Sequence, residues 1–266
     1  MRYKLASMVK GKRRKSITFR PVNLPATMAS DLFAAAYAPV IAAWTEAGGS
    51  IVAAYESALS ELTTDSPEQV GTRLDGVEAT IARIVLSLRL RLERWAVRVE
   101  TVHRGKWRAA AMNATGVDIG TMIGPADMKI PVGAAIERNV SLVKSVSEQT
   151  RTRIAQAVFS GLQRRAQARE VAKEITEAVG MARRRSMNIA ADQLVKINAQ
   201  LNSERRREAG IDTWEWVSSH KVNYRPEHAA RDGKRYADGD APSDLPGELP
   251  YCGCTERAVL SLDDPY

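Results

Sequence analysis

The sequence predicts a mainly α-helical protein with a small α+β module at its C-terminus, in which long amphipathic helices precede a short-stranded, loop-rich domain. Two changes along the chain of 266 residues support this fold class. Apolar residues recur at helical spacing as far as Gly210, and they alternate in two short stretches after it. Gly, Pro and Asp crowd the segment between those stretches, as is typical of loops.

The N-terminal segment carries all of the formal net charge of +8. Residues 1–20 contain eight Lys or Arg residues and no acidic residue, which predicts a basic, flexible tail over residues 1–25. Such a tail suits packaged DNA or an acidic protein surface, and a solvated terminus without a partner is the alternative. The candidate contact residues are Lys10, Lys12, Arg13, Arg14 and Lys15.

The chain has no apolar run of the length that spans a bilayer or serves as a signal peptide. We therefore expect a protein that is made in the cytoplasm and has no membrane partner.

A helical N-terminal region is predicted over residues 26–115. Its first part, residues 26–62, is rich in Ala and is interrupted at Pro39 and at Gly48-Gly49, which indicates two or three modest helices. Apolar residues then follow steps of three and four from Val77 to Val102, which predicts one long amphipathic helix.

A connector rich in Gly and Pro, with a short hairpin, is predicted over residues 116–131. Helical spacing resumes in a central region, residues 132–210, as separate helices near 136–143, 154–162 and 171–179. A last helix runs from about residue 187 and ends at Gly210. Because Glu204 and Glu208 flank the arginines at 205–207, we expect those arginines to lie on a solvated face.

The C-terminal module is predicted over residues 211–266. Trp214 and Trp216 are two apart and share one face of a strand, where they would anchor a core, and residues 255–262 alternate in the same way. Pro226 is suited to begin a short helix that Gly233 ends, and this helix carries His228.

The only two cysteines of the chain, Cys252 and Cys254, are open to three interpretations. A disulfide between residues two apart would be strained, and it would be reduced in cytoplasm. Two unrelated buried thiols are the second interpretation. The third is a structural Zn²⁺ site in which both thiolates join His228, with His220 or Asp232 as the fourth ligand.

The other two histidines have simpler explanations. For His220 we favour a hydrogen bond within a loop over a metal bond. We expect an exposed or partner-bonded imidazole at His103, which follows the long helical stripe beside basic residues.

Motifs that would indicate an enzyme are absent from the sequence. It contains no H-x-E with P-C-x-x-C, no H-E-x-x-H, no G-x-S-x-G and no phosphate-binding loop. We expect no enzymatic activity, and an enzyme built on the His and Cys cluster is the least supported alternative.

The C-terminal residues resemble those of a known family. "GIDTWEWVSSHKVNYRPEHAARDGKRY" followed by "LPGELPYCGCTERAV" is similar to the C-terminal signature of the phage Mu F-like minor head proteins. The helical segment that begins at Ile136 and ends at Gly210 is similar to the helices that precede this signature. Two positions depart from the family pattern: Arg225 stands where many relatives have the first Cys of C-x-x-C, and Gly253 stands where C-R-C has Arg.

The resemblance implies a minor capsid protein of a tailed phage, which acts in head morphogenesis. Its expected partners are the portal protein and capsid or scaffold proteins, with a role in DNA retention or ejection. Its expected location is the phage head, near the portal vertex. The alternative function is a DNA-binding module that acts through the basic tail and the Arg-rich helices.

Overall fold

The computed structural model describes residues 3–10, 14–61 and 66–262. Most of these residues are helical, and the strands form one antiparallel sheet near the C-terminus, so the predicted fold class is confirmed. The helices are α1 Leu5–Met8, α2 Thr27–Leu32, α3 Ala38–Glu61, α4 Ser66–Thr115, α5 Lys129–Arg164, α6 Ala168–Glu208 and α7 Pro226–Ala229. The strands are β1 Ser16–Thr18, β2 Thr213–Val217, β3 Arg235–Ala237 and β4 Thr255–Ser261.

Helix α3 continues through Gly48-Gly49, where the sequence predicts an interruption. A helical glycine costs about 1 kcal/mol relative to alanine, and burial of Trp44, Ile51 and Tyr55 on the same helix offsets that cost. Pro39 is also accommodated within the helical segment. A π-helical turn, Phe33–Tyr37, lies just before it and changes the backbone spacing where the proline ring would otherwise meet the preceding turn.

The three helices predicted between residues 136 and 179 belong to two longer ones, α5 and α6. Polar stretches that looked like breaks are solvent-facing turns of continuous helices. The chain reverses instead at Arg165, which has a φ of 51°. The predicted hairpin in residues 116–131 is wrong within the described chain: this segment is a loop and a 3-10 turn, Ala126–Met128, and α5 begins at Lys129.

The chain forms two compact units, each assembled from several stretches. Unit 1 comprises residues 1–29, 96–135 and 191–266, and unit 2 comprises residues 30–95 and 136–190. The domain boundaries expected from the sequence stay a prediction. No helix in the described part of the chain is both long and apolar enough to cross a membrane.

Unit 2 is held together by aromatic side chains near and on α3 that reach α5 and the turn that follows it. The Tyr37 hydroxyl lies 3.0 Å from Asn139 Oδ1, and Trp44 Nε1 donates to Ser147 Oγ at 3.2 Å. The Tyr55 hydroxyl donates to the carbonyl of Ala166 at 2.6 Å. Each of these aromatic residues is buried and has a polar partner, which fixes the position of its ring.

Unit 1 contains the sheet, whose strand order is β1-β4-β2-β3. Trp214 and Trp216 lie on one face of β2 and are buried, as predicted. The intervening Glu215 is opposite Arg257 on β4 and Arg235 on β3, and it forms ion pairs with both. The alternation of β2 therefore separates an aromatic face from a charged one.

The described part of the N-terminal segment is built into unit 1, which corrects the prediction of a flexible tail. β1 pairs with β4, and Leu5, Phe19 and Val22 are buried in the core. Basic residues dominate the composition of this segment, so its few apolar residues are easily overlooked in the sequence. Burial of those apolar residues nevertheless favours docking of the segment onto the rest of unit 1. Lys10, Arg14 and Lys15 are exposed, whereas Lys12 and Arg13 lie outside the described residues.

The arginines at the end of α6 also differ from the prediction of a solvated face. Arg205 and Arg206 are almost completely buried, at 0% and 1% exposure. Arg205 Nη2 lies 2.6 Å from Glu100 Oε1, and Arg206 bonds to Glu256 and Asp238 at 3.1 Å and 2.6 Å. These carboxylates are distant in sequence, so the local charge pattern did not reveal them.

Candidate metal centre

The turn from β2 to β3 brings His228 to the two cysteines. Arg225 is the extended N-cap of α7, and Pro226 occupies its first turn. The helix ends after one turn, and Gly233, with a φ of 72°, leads the chain into β3. His228 thereby lies on the buried side of α7, with its ring against the ring of Trp216 at a centroid distance of 5.0 Å.

The long loop between β3 and β4 is fastened to α6. Lys196 Nζ donates to the carbonyl of Leu249 at 3.3 Å, and the backbone N–H of Tyr251 donates to Asp192 Oδ1 at 2.6 Å. Gly247 has a φ of 77°, and a Cβ there would lie 3.0 Å from the Cβ of Ala199. These contacts place the cysteine pair beneath the Trp face of the sheet.

His228, Cys252 and Cys254 form the candidate metal centre. His228 Nδ1 is 3.4 Å from Cys252 Sγ and 3.7 Å from Cys254 Sγ. One ligand atom from each of the three residues lies within 4.8 Å of the others. All three residues are buried, with exposures of 2%, 3% and 4%. The arrangement brings two sulfurs and one imidazole nitrogen to a single point, and these are donors that zinc prefers.

The opposite nitrogen of His228 is also held. His228 Nε2 lies 2.8 Å from Asp244 Oδ2, and Arg231 Nη1 donates to the other carboxylate oxygen at 2.7 Å. Burial would raise the pKa of Asp244, but the hydrogen bonds from His228 and Arg231 bring it below its usual value. A carboxylate on the far side of a histidine fixes its tautomer so that Nδ1 is free to bind a metal.

The cysteine pair is prepared for thiolate chemistry. The Cys254 thiol lowers the pKa of Cys252 to about 5, and backbone N–H groups of Cys254 and Gly247 act in the same direction, while burial opposes them. The pKa of Cys254 is raised correspondingly, because Cys252 takes the first negative charge. The first of the two thiols therefore ionises more readily than an isolated thiol, and metal ligation requires the thiolate form.

Two further ligand candidates from the sequence do not join the centre. His220 is exposed, and its Nε2 lies 3.5 Å from Asp232 Oδ2. Asp232 accepts the backbone N–H of Ser218 at 2.7 Å through its other oxygen. The loop hydrogen-bonding role favoured for His220 stays a prediction, and within the described residues the metal-ligand group contains three members.

The two departures from the family pattern have local consequences. Arg225 Nη2 donates to the carbonyl of Pro250 at 3.1 Å, so Arg225 ties the start of α7 to the cysteine loop without being able to ligate a metal. A Cβ at Gly253 would lie 2.7 Å from Cε and 2.8 Å from Nζ of Lys221. The Lys221 ammonium therefore lies next to position 253, where the family pattern has an Arg side chain.

Asp244 and Arg231 are the parts of this centre that sequence reasoning missed. Asp244 lies sixteen residues after His228 in a stretch that reads as an ordinary turn. Arg231 is also 5.1 Å above the ring of Trp216, which couples it to the aromatic face. No spacing rule links these residues to a histidine, because the contact depends on how the loop folds back.

Comparisons with known proteins agree with the C-terminal signature. Residues 149–257 match the family model described as Phage Mu protein F like protein. A protein of Haemophilus influenzae, described as uncharacterized, is 31% identical over 155 residues. That alignment covers 57% of this chain, and the chain spans 35% of the relative's length. No solved structure matched.

The matched segment contains the C-terminal part of α5, all of α6 and the candidate metal centre. The resemblance inferred from the tryptophan strand and the cysteine pair is thereby confirmed for this segment. The similarity to the phage Mu F-like family thus extends over residues 149–257.

Proposed function

We propose that the chain is a minor capsid protein of a tailed phage, which joins the portal region while the procapsid assembles and stays in the head near that vertex. The match of residues 149–257 to the Mu F-like family carries this proposal. Capsid or scaffold proteins are further partners, and a role in DNA retention or ejection belongs to the same proposal. The long helices of the chain supply extended packing faces for a large assembly.

The direct test is to tag the chain in the phage that encodes it and to analyse purified procapsids and virions by quantitative mass spectrometry and cryo-electron microscopy. The proposal expects the chain in both particles, at far lower copy number than the major capsid protein, with density at the portal vertex. Its absence from both particles would contradict the proposal, and so would an even distribution over the shell.

The N-terminal basic residues are the proposed contact with packaged DNA. Lys10, Arg14 and Lys15 are exposed, whereas Arg205 and Arg206 are buried in ion pairs and are not free to contact phosphates. Replacing Lys10, Lys12, Arg13, Arg14 and Lys15 with Ala is expected to weaken binding to double-stranded DNA and to flatten its salt dependence. Fluorescence anisotropy between about 50 and 200 mM salt measures both effects. Equal DNA binding by the unmodified protein and the alanine variant would show that these basic residues are not the contact with DNA.

We also propose that the candidate metal centre binds Zn²⁺ through His228, Cys252 and Cys254. The support is the convergence of three buried soft donors and the carboxylate behind His228. Bound zinc would supply a structural crosslink between the α7 turn and the start of β4. This crosslink would hold the loop of residues 238–254, which has little regular structure of its own.

The zinc proposal predicts that Cys252→Ser combined with Cys254→Ser removes bound metal and lowers the melting temperature of the C-terminal module. The reason is that metal-binding free energy adds to folding free energy when the site exists only in the folded state. Elemental analysis of the purified protein and melting with and without a chelator measure the effect. A matched control is His220→Ala. His220 lies outside the centre, so this variant should leave the zinc content and the melting temperature unchanged.

An unmodified protein that contains no zinc and melts identically with and without chelator would contradict the zinc proposal. The fold and the proposed place in the head would stand, because neither depends on the metal. The sulfurs are almost fully covered, so the centre as found is arranged to hold an ion rather than to present a nucleophile to a substrate.

A further inference from the structure

Helix α4 carries a second apolar stripe, on the side opposite its core positions. Ile81, Leu88 and Leu92 are buried, whereas Leu86 and Leu90 are 81% and 60% exposed. A single exposed leucine is ordinary, but these two lie one turn apart on a helix whose core face is already filled.

Arginines border the exposed leucines. We call Arg83, Leu86, Leu90, Arg91 and Arg94 the outer face of α4; all five residues are exposed and belong to unit 2. Arg89 lies on the flank and is neutralised by Glu93 and Glu137. Within the described residues, no carboxylate comes within ion-pair distance of Arg91 or Arg94. The outer face is therefore both apolar and positively charged, without an internal counter-charge.

The outer face continues into an open groove between α3 and α4. The groove has a volume of about 930 Å³ and is lined mainly by small side chains, among them Ala47 and Ser50 of α3 and Gly76 of α4. Glu46 and Arg73, which have opposite charges, also line it. Positions 76, 80, 83, 87, 90 and 94 advance by alternating steps of four and three, so they share one side of the helix. This side is about 27 Å long, which is enough for five turns of a second helix.

We infer that the outer face of α4 and the adjoining groove form the docking surface for an acidic amphipathic helix of another head protein. Small residues let a helix backbone approach in the groove, the two leucines receive its apolar side, and Arg83, Arg91 and Arg94 pair with its carboxylates. This inference rests on the proposed function in one respect: the partner is expected to be another protein of the phage head.

Charge and apolar character together select this occupant. A second copy that docked through the same face would bring arginines against arginines, which costs free energy. A DNA duplex would neutralise the arginines but would leave Leu86 and Leu90 without an apolar partner. An acidic helix satisfies both sets of side chains.

The test places the photo-reactive residue p-benzoylphenylalanine at position 90 of the full chain, in cells in which the encoding phage assembles heads. The inference expects a crosslink to one helical, acid-rich segment of a head protein, identified by mass spectrometry. The same group at Gln156, an exposed position on α5, serves as the control. Combining Arg91→Glu with Arg94→Glu should reduce the crosslinked product roughly tenfold or more, and reversing carboxylates in the partner segment should restore it.

Three results would overturn the docking surface: a crosslink to a second copy of the chain, a crosslink to DNA, or no more crosslink at position 90 than at position 156. Melting of the charge-reversed variant checks that its fold is unchanged, as expected for exposed positions. A crosslink to an acidic helix outside the head proteins would preserve the surface while contradicting the proposed function, so the two failures can be told apart.

Discussion

Two arginine-rich stretches of this chain, on α4 and at the end of α6, have opposite environments. On α4, Arg91 and Arg94 are exposed and border exposed leucines. At the end of α6, Arg205 and Arg206 are buried among Glu100, Glu256 and Asp238. Both stretches are helical and read alike in the sequence. The comparison shows that arginine-rich helix segments differ in role according to which carboxylates the fold brings to them.

The buried Arg206 depends on the carboxylates that pair with it. Burial alone would lower the pKa of Arg206, and the carboxylates of Glu256 and Asp238 raise it above its usual value. Burial raises the pKa of Glu256 in turn, although the Arg206 guanidinium opposes that shift. Arg206 also donates to the carbonyl of Ile211 at 2.8 Å, so it joins the end of α6 to the sheet. Removing one member leaves a buried charge without compensation.

The largest effect is therefore expected at Arg206. Replacing Arg206→Met should lower the free energy of unfolding by about 3 to 5 kcal/mol, because Glu256 is then left buried and unpaired. Chemical denaturation measures this loss. The double variant Arg206→Met with Glu256→Leu should recover a substantial part of it. If Arg206→Met were as stable as the unmodified protein, Arg206 would contribute no more to stability than the exposed arginines do.

An intermediate effect is expected at His103, which lies near Arg205. His103 is fully buried, and its Nε2 lies 2.8 Å from Asn202 Oδ1. Burial lowers the pKa of His103 from 6.5 to about 4. Between these two values the unfolded chain binds a proton that the folded chain does not, so stability is complete above pH 6.5 and falls as the pH drops toward 4. The loss should reach about 3 kcal/mol.

Comparing the unmodified protein with His103→Gln tests this titration. Denaturation is measured at intervals from pH 7 down to about 4, the range set by the two His103 pKa values. The variant should show a smaller fall in stability than the unmodified protein, whatever its absolute stability. If the stability of the two proteins fell equally with pH, the His103 imidazole would not contribute to the pH dependence of stability.

The smallest effect is expected on the exposed stretch. Replacing Arg94→Ala removes an exposed side chain without an ion pair among the described residues, so the free energy of unfolding should change by no more than about 0.5 kcal/mol. The same denaturation experiment provides the value. A loss as large as that at Arg206 would show that α4 depends on Arg94 for folding, and it would remove the contrast between the two stretches.

Much of the fold follows from local patterns in the sequence. The stripe of α4, the end of α6 just before Gly210 and the tryptophan strand are all found where spacing and turn residues predict them. The errors within the helices concern continuity: Gly48-Gly49 and the polar turns within α5 and α6 do not break their helices. Local propensity is worth about 1 kcal/mol at such positions, and burial of neighbouring apolar residues exceeds it.

The sequence by itself indicated the helical class and the small C-terminal sheet, and it offered His228, Cys252 and Cys254 among its candidate metal ligands. Periodicity, turn chemistry and the scarcity of Cys and His are local properties that can be read without a fold. Only the tertiary structure decided that Asp244 supports His228, that β1 joins the sheet, and that Arg205 and Arg206 are buried. These outcomes depend on contacts between residues that are distant in the chain, where the energy of pairing and burial is set by what the fold brings together.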